Sequence, residues 1–490
     1  MLSLVRSIKN SFAPINRIPQ EVLSLIPDYC NAGEELVTLT HVCRGWREQF
    51  ISRSSLWTFL DCASVDRTNV YLKRSKTSPL EIRFEEEEGT SFSSDALLLT
   101  VPYLSRLKSL YLSGSSDDLF QFTKYFTSPA PLLKELKLNF TCTETPTIED
   151  VIFNGNLPSL RKLRLSGITA NLAWEDLSNL RTFDLRQVPG NKISVTQLLD
   201  LFERTPRLRN IQLWNAFPSS SDAPPGRVVS LPRLKSLTIN AQPAHPVLLD
   251  HLSIPAGASL SQRFTFSDDK SPIPTYLPKT LDNLKNISHI ASINLSFDTG
   301  MYLRLAGSGG GLYMFGGWCG AGTSPPTVDP QVLRSLSLFN ISTVERLKIT
   351  FYNTPQQTET AGPPPVYTTL LLMNGLRNLT LTHCHNSPFV SALNPKHNAS
   401  GTVVCPKLEK IVLHITDRRQ FYMNELLEMA KERASGGAKL STVTIVGSQR
   451  CGPEALELRD YVSHVEYVLH DVEPEWDVIP ADNADYASDR

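Results

Sequence analysis

The chain has 490 residues, with 48 Lys and Arg against 49 Asp and Glu, and a net charge of -1 gives no drive toward nucleic acid or an anionic membrane. A hydrophobic fraction of 41% and a charged fraction of 20% are those of a soluble globular protein, as one elongated domain or two to four compact ones. Eight cysteines lie scattered with no Cys-x-x-Cys pair, which excludes zinc-ribbon and thioredoxin-type motifs and suits free thiols in a reducing compartment, the cytoplasm or nucleus.

Residues 1–14 form an N-terminal segment whose apolar run, broken by Arg6 and Lys9, is too short for a signal peptide or a membrane span. Residues 15–60 carry helical periodicity. Pro19 suits a first helical position, because its missing N–H needs no partner there, and Glu21 suits the helix dipole in the first turn. Val22, Leu23, Leu25 and Ile26 give an apolar face, Pro27 disfavours continuation, and Asn31-Ala32-Gly33 reads as a turn. From Glu34 to Ile51, Leu36, Leu39, Val42, Cys43, Trp46 and Phe50 recur at spacings of three and four, with a break near Thr40 or His41. So short a segment buries little core alone, so part of its apolar surface is expected to meet a partner.

Ile18-Pro19-x-Glu21-Val22-Leu23, Leu39-Thr40-x-Val42-Cys43-Arg44-x-Trp46 and Ser55-Leu56-Trp57 together resemble an F-box, most closely those of mushroom-forming fungi. The similarity continues through Asp66–Lys76 and Ser78-Pro79-Leu80-Glu81-Ile82. The loop-like insert from Asp28 to Glu35 separates the two matched helical parts. The resemblance implies docking on a Skp-type adaptor and, through it, on a cullin scaffold. By the same pattern Ile18, Pro19, Leu23, Ile26, Leu39, Val42, Cys43 and Trp46 make the adaptor contact. The plain alternative is a helical cap on a solenoid end.

Residues 61–90 read as a helix-strand linker and cap: helical over Asp66–Arg74, broken at Ser78-Pro79, then a strand over Leu80, Ile82 and Phe84. Glu85–Glu88 reads as a solvated charge run. From 91 to 470 the motif Leu-x-x-Leu-x-Leu recurs: Leu107-Leu110-Leu112, Leu133-Leu136-Leu138, Leu160-Leu163-Leu165, Leu180-Phe183-Leu185, Leu208-Ile211-Leu213 and Leu234-Leu237-Ile239. Middle positions step by 26, 27, 20, 28 and 26 residues, as in leucine-rich repeats. The pattern blurs over 241–327, where Leu249-Leu252-Ile254 is a short row. A row at Ile290-Ile293-Leu295 leads into a hairpin turning at Gly307–Gly311, within 290–318. Rows resume at Val344-Leu347-Ile349, Leu376-Leu379-Leu381, Leu408-Ile411-Leu413 and Leu440-Val443-Ile445, 32 residues apart. Asp118–Phe126, Ser194–Arg204 and Tyr422–Arg433 read as intervening helices. Residues 471–490 form an acidic tail expected to be disordered. The fold expected is an α/β leucine-rich-repeat solenoid, parallel strands with covering helices, preceded by a small all-α F-box.

Positions between the inward leucines point to the open sheet face. Among them Tyr111, Lys137, Lys162, Arg164, Asp184, Arg186, Gln212, Trp214, Arg346, Lys348 and Lys410 form a candidate target-binding face, rich in the residue types of binding hot spots. No nucleophile elbow, zinc-protease helix or catalytic-cysteine signature occurs, so no catalytic, cofactor or metal residue is assigned. Gly307–Gly311 lacks the Gly-Lys-Ser/Thr ending of a phosphate loop. His383-Cys384-His385 has no second ligand pair. No basic stripe interleaved with aromatics suggests nucleic-acid binding. The expected function is substrate recognition in an SCF-type E3 ubiquitin ligase, non-enzymatic in itself, with an unnamed target protein. The alternative is a non-ligase binding scaffold whose helices only cap the solenoid.

Overall fold

The inward leucine triplets stack in register from repeat to repeat in the structure, a computed structural model. It describes residues 18–29, 34–86, 94–115, 120, 122–141, 147–148, 152–170, 177–188, 193–216, 222–241, 247–266, 277–297, 300–307, 310–318, 333, 335–351, 365–382, 387–397, 402–415, 423–447 and 454–469, with Phe12 and Pro14. They divide into two units, Met1–Ser261 with Leu277–Leu284, and Gln262–Tyr276 with Lys285–Arg490. Each is α/β and built on mostly parallel strands.

The first unit opens with helices α1 (Gln20–Leu23), α2 (Glu34–His41) and α3 (Arg44–Ser52), joined by 3-10 turns at Ile26–Tyr29 and Ser54–Trp57. The expected break lies between His41 and Arg44. Strand β1 (Phe59–Leu60) and helix α4 (Val65–Ser75) come next, then β2 (Leu80–Glu85). Strands β3 (Leu107–Gly114), β4 (Glu135–Phe140), β5 (Lys162–Ser166), β6 (Thr182–Arg186), β7 (Asn210–Trp214) and β8 (Ser236–Ala241) pair in parallel, each with its predecessor. The register aligns Ile82, Leu110, Leu136, Leu163, Phe183, Ile211 and Leu237 in one buried row. Phe84, Leu112, Leu138, Leu165, Leu185, Leu213 and Ile239 form the next. Each fully buried leucine stabilises the stack by roughly 1.5–3 kcal/mol. Between Ser166 and the next strand the chain turns at Gly167, whose φ of +64° and approach to the Phe140 carbonyl leave no room for a Cβ.

Covering helices are fewer here than the motif predicts. Helix α5 (Val195–Arg204) has a capping box: Ser194 Oγ accepts from Gln197 N–H at 3.3 Å and Gln197 Oε1 accepts from Ser194 N–H at 3.2 Å. Elsewhere the return segments hold short turns, such as the 3-10 turn Phe122–Tyr125 and the bend Ile152–Gly155, where Phe153 and Asn154 adopt positive φ. The short row at Leu252 pairs instead with Val229–Ser230 in a small separate sheet.

In the second unit, β9 (Ser292–Phe297), β10 (Gly300–Ala306) and β11 (Gly311–Trp318) are antiparallel, as the hairpin reading expects. Beyond β9 run β12 (Arg346–Phe351), β13 (Asn378–Thr382), β14 (Lys410–Ile415), β15 (Thr442–Gly447) and β16 (His464–Leu469), all parallel. The longer 32-residue steps accommodate α6 (Pro365–Leu372), α7 (Ser387–Leu393) and α8 (Met423–Ser435), and α9 (Glu454–Tyr461) lies in the 22-residue step from Val443 to its partner Val465. Within α8, Arg433 is fully buried and donates to the carbonyls of Val404 (2.7 Å) and Cys405 (3.0 Å). The acidic tail lies outside the described residues.

Cys43, Cys62 and Cys405 are free thiols. Burial pushes the Cys62 and Cys405 thiols up to about 12, against a Thr68 hydrogen bond and the nearby Arg433 respectively. Both folded values lie above the ordinary 9.0. The stability they contribute is therefore full below pH 9.0 and falls as pH rises from there toward 12. Thiol-reagent labelling of both in the native chain at neutral pH is expected to be on the order of 100-fold slower than in urea. Mass mapping after a timed pulse checks this, and equal rates would contradict the burial.

Candidate functional site

The N-terminal helices surround a small core of Leu23, Trp46 and Phe50, against which Ile18, Ile26, Leu39, Cys43 and Leu56 pack. Trp46 meets Phe50 edge to face at 5.6 Å between ring centroids. The geometry therefore divides the eight residues that the sequence puts forward for adaptor contact. Leu23 and Trp46 are buried, Ile18, Ile26, Leu39 and Cys43 are half-buried, and Pro19 and Val42 are exposed. Three further apolar residues face solvent: Val22 (50%), Leu25 (53%) and Tyr29 (90%), beside Val42 at 48%. Helical periodicity alone does not distinguish these from the core set.

The segment is joined firmly to helix α4 and strand β2. Trp57 is fully buried, donates its indole N–H to the Phe50 carbonyl at 2.9 Å, and packs edge to face on Tyr71 at 5.0 Å. The Arg74 guanidinium lies 4.3 Å from the Trp57 ring. Phe59 and Leu60 pair with Glu81 and Ile82.

On the first unit's open face, the register aligns Arg83, Tyr111, Lys137, Arg164, Asp184, Gln212 and Thr238. Tyr111 is flanked by the cations of Arg83 (5.4 Å) and Lys137 (5.8 Å). Asp184 is the exception among these outward positions, with a side chain only 3% exposed. It accepts from Arg164 Nε at 2.7 Å and from Arg186 Nε at 2.9 Å. Arg186 also donates to Gln212 (3.1 Å) and stacks 5.4 Å from the Trp214 ring. Asp184 thus braces two arginines instead of offering its carboxylate outward. Glu135 pairs with Lys137 at 3.2 Å and Lys162 at 3.7 Å.

The second unit's face aligns Tyr313, Arg304, Asn294, Lys348, Thr380, Val412, Thr444 and Glu466. Arg346 and Lys410 stand in the adjoining row and are exposed. Gly307 donates to the Gly310 carbonyl at 3.0 Å in the β10–β11 turn, which accounts for the glycine run without a phosphate. His383-Cys384-His385 lies outside the described residues. Among the described residues no group of three or more His, Cys, Asp or Glu is placed to hold a metal, and no helix is long and apolar enough to cross a membrane.

One set of residues escapes the sequence reading. Immediately after the first leucine of each of the six rows that supply β3 to β8 stands a cation: Lys108, Lys134, Arg161, Arg181, Arg209 and Lys235. Five main-chain bonds of 2.7–2.8 Å run from the N–H of each residue after Lys108 to the carbonyl of its counterpart one repeat earlier, so the six stack as a ladder. Lys134, Arg161, Arg181 and Lys235 are exposed. Lys108 bonds Glu81; the other five form no ion pair among the described residues. Lys and Arg are 48 of 490 residues, so composition alone does not give six in six. Rungs one strand apart, ~4.8 Å, repel by on the order of 0.5–1 kcal/mol per neighbouring pair before salt screening. The equivalent ladder of the second unit reads Glu345, Arg377, Glu409 and Ser441, with Arg377 bonded to Glu409. Stacking therefore does not itself demand cations there.

Compared with models of known protein families the chain matches none, and compared with curated proteins it matches none.

Proposed function

We propose that the chain is a substrate-recognition subunit of an SCF-type ubiquitin ligase, its N-terminal helices docking on a Skp-type adaptor that binds a cullin scaffold. The observation that carries this reading is the set Val22, Leu25, Tyr29 and Val42, large apolar side chains left in solvent on a segment whose own core is already filled. The similarity of Ile18–Leu23, Leu39–Trp46 and Ser55–Trp57 to an F-box supports it. In this reading Leu23 and Trp46 shape the surface from beneath, and Pro19, Val22, Leu25, Tyr29 and Val42 touch the adaptor. The outward residues Tyr111, Arg164, Arg186 and Trp214 receive a target protein. The chain contributes proximity, raising the effective concentration of target lysines, and no bond chemistry of its own.

The test is co-purification with a Skp-type adaptor. Leu25→Asp with Val42→Asp is expected to reduce retention at least tenfold with the far-UV spectrum unchanged, since both side chains are exposed. Substitution at Leu23 is avoided because it opens the core. Failure of well-folded wild-type chain to retain the adaptor sinks the ligase reading. The alternative, a binding scaffold with a helical cap, draws support from the pairing of Phe59–Leu60 with β2, which covers that sheet edge.

A further inference from the structure

We infer that the Lys/Arg ladder along the strand starts of the first unit is a docking edge for an acidic, carboxylate-rich segment of a partner protein. Three observations carry it. The ladder is continuous over six repeats, although its members are spread over more than a hundred residues of sequence. It is uniform in sign, so its rungs repel one another and a polyanion relieves that repulsion. The equivalent ladder of the second unit alternates in sign and neutralises itself through Arg377 and Glu409, so one-signed stacking belongs to the first unit only.

The neighbourhood adds to the field. Lys162, next to Arg161, is exposed and shares Glu135 with Lys137. Arg207 and Arg233, each two residues ahead of a rung, are exposed as well. Six rungs span roughly 24 Å, about seven residues of extended chain or four turns of helix. The flexible stems of Lys and Arg accommodate either spacing. A protein segment is favoured over a single-stranded nucleic acid because no aromatic side chain alternates with the rungs to stack bases. This docking edge is independent of the adaptor reading: it uses different residues and stands or falls by a different measurement.

The probe is a fluorescein-labelled twelve-residue oligoglutamate, titrated with the full chain at 50 mM salt and read by anisotropy. Wild-type chain is expected to bind it, with affinity falling at least tenfold on going to 200 mM salt. Lys134→Glu, Arg161→Glu and Arg181→Glu together are expected to lower affinity at least tenfold. The thermal midpoint is expected to stay level or rise, because the substitutions relieve repulsion between exposed side chains; a purely structural ladder would lose stability instead. Arg346→Glu with Lys348→Glu, in the second unit, is expected to change affinity by less than twofold. Absence of binding at 50 mM salt, or an equal loss from the second-unit pair, overturns the inference. An oligonucleotide of equal charge competing tenfold better than the peptide overturns the choice of occupant. Loss of adaptor retention alongside intact peptide binding rejects the ligase reading alone.

Discussion

Replacing Asp184 with alanine is expected to lower the stability of the first unit by about 3–5 kcal/mol. Its carboxylate is 3% exposed and sits between Arg164 and Arg186, whose side chains are 20% and 18% exposed. Without it, two largely desolvated guanidiniums face each other with their shared counter-charge gone. The single substitution therefore removes more than one pair's attraction. Asp184→Asn, which keeps the shape and one carbonyl acceptor, is expected to cost about half as much. Replacing the whole triad, as Arg164→Met, Asp184→Leu and Arg186→Met, is expected to return stability to within about 1–2 kcal/mol of wild type, because the desolvation of three charges disappears with them. Urea unfolding followed by hydrogen exchange in β5 and β6 measures each. A shift below about 1 kcal/mol for the alanine variant would mean that water reaches Asp184.

Arg433→Ala is expected to be comparably damaging to the second unit, by about 3–5 kcal/mol. Arg433 is fully buried, forms no ion pair among the described residues, and its Nε finds no acceptor. Burial pushes its pKa below the ordinary arginine value, with the adjacent Cys405 opposing. Its worth lies in the Val404 and Cys405 carbonyls, which stand at the turn before β14 where Cys405 adopts a positive φ of 49°. Alanine leaves both carbonyls without that donor and opens a void. Arg433→Met fills much of the void but not the bonding, so a loss of about 2–3 kcal/mol is expected. The comparison separates packing from hydrogen bonding. Exchange of the amides of β14 is the local readout, and unaltered protection in both variants would exclude a clamping role.

The inward triplets were legible because a strand alternates and a leucine in three fixed places per repeat has few other uses. The helix over Ser194–Arg204 was legible for the same reason, from the apolar spacing of Val195, Leu198, Leu199 and Phe202. The stretch Ser259–Phe266 was not legible as a strand: its inward positions are Leu260, Gln262 and Phe264, and a buried glutamine breaks the leucine pattern. Asp184 reads as an outward residue by alternation, which is correct for its direction and wrong for its environment, since two neighbouring arginines cover it. On the N-terminal helices, periodicity identified the apolar residues but not which of them face inward. Leu23 and Trp46 fill the core, and Leu25 and Val22 do not. The cationic ladder was present in the six rows of β3 to β8. Reading along the chain, each member is one charged residue among many; only the stacking of repeats makes them neighbours.

Trp57 closes the joint between the helical segment and the first sheet, held by the Phe50 carbonyl on one side and by Tyr71 and Arg74 on the other. A hinge needs a few residues free to rotate, and here the residues at that place are an indole locked on three sides and a strand already paired. Whatever grips the helices is consequently held at a fixed bearing to the sheet. Reach along the first unit is then set by the number of repeats rather than by swinging, so adding or removing one repeat moves a bound protein by one strand spacing, ~4.8 Å, like a notch on a ruler.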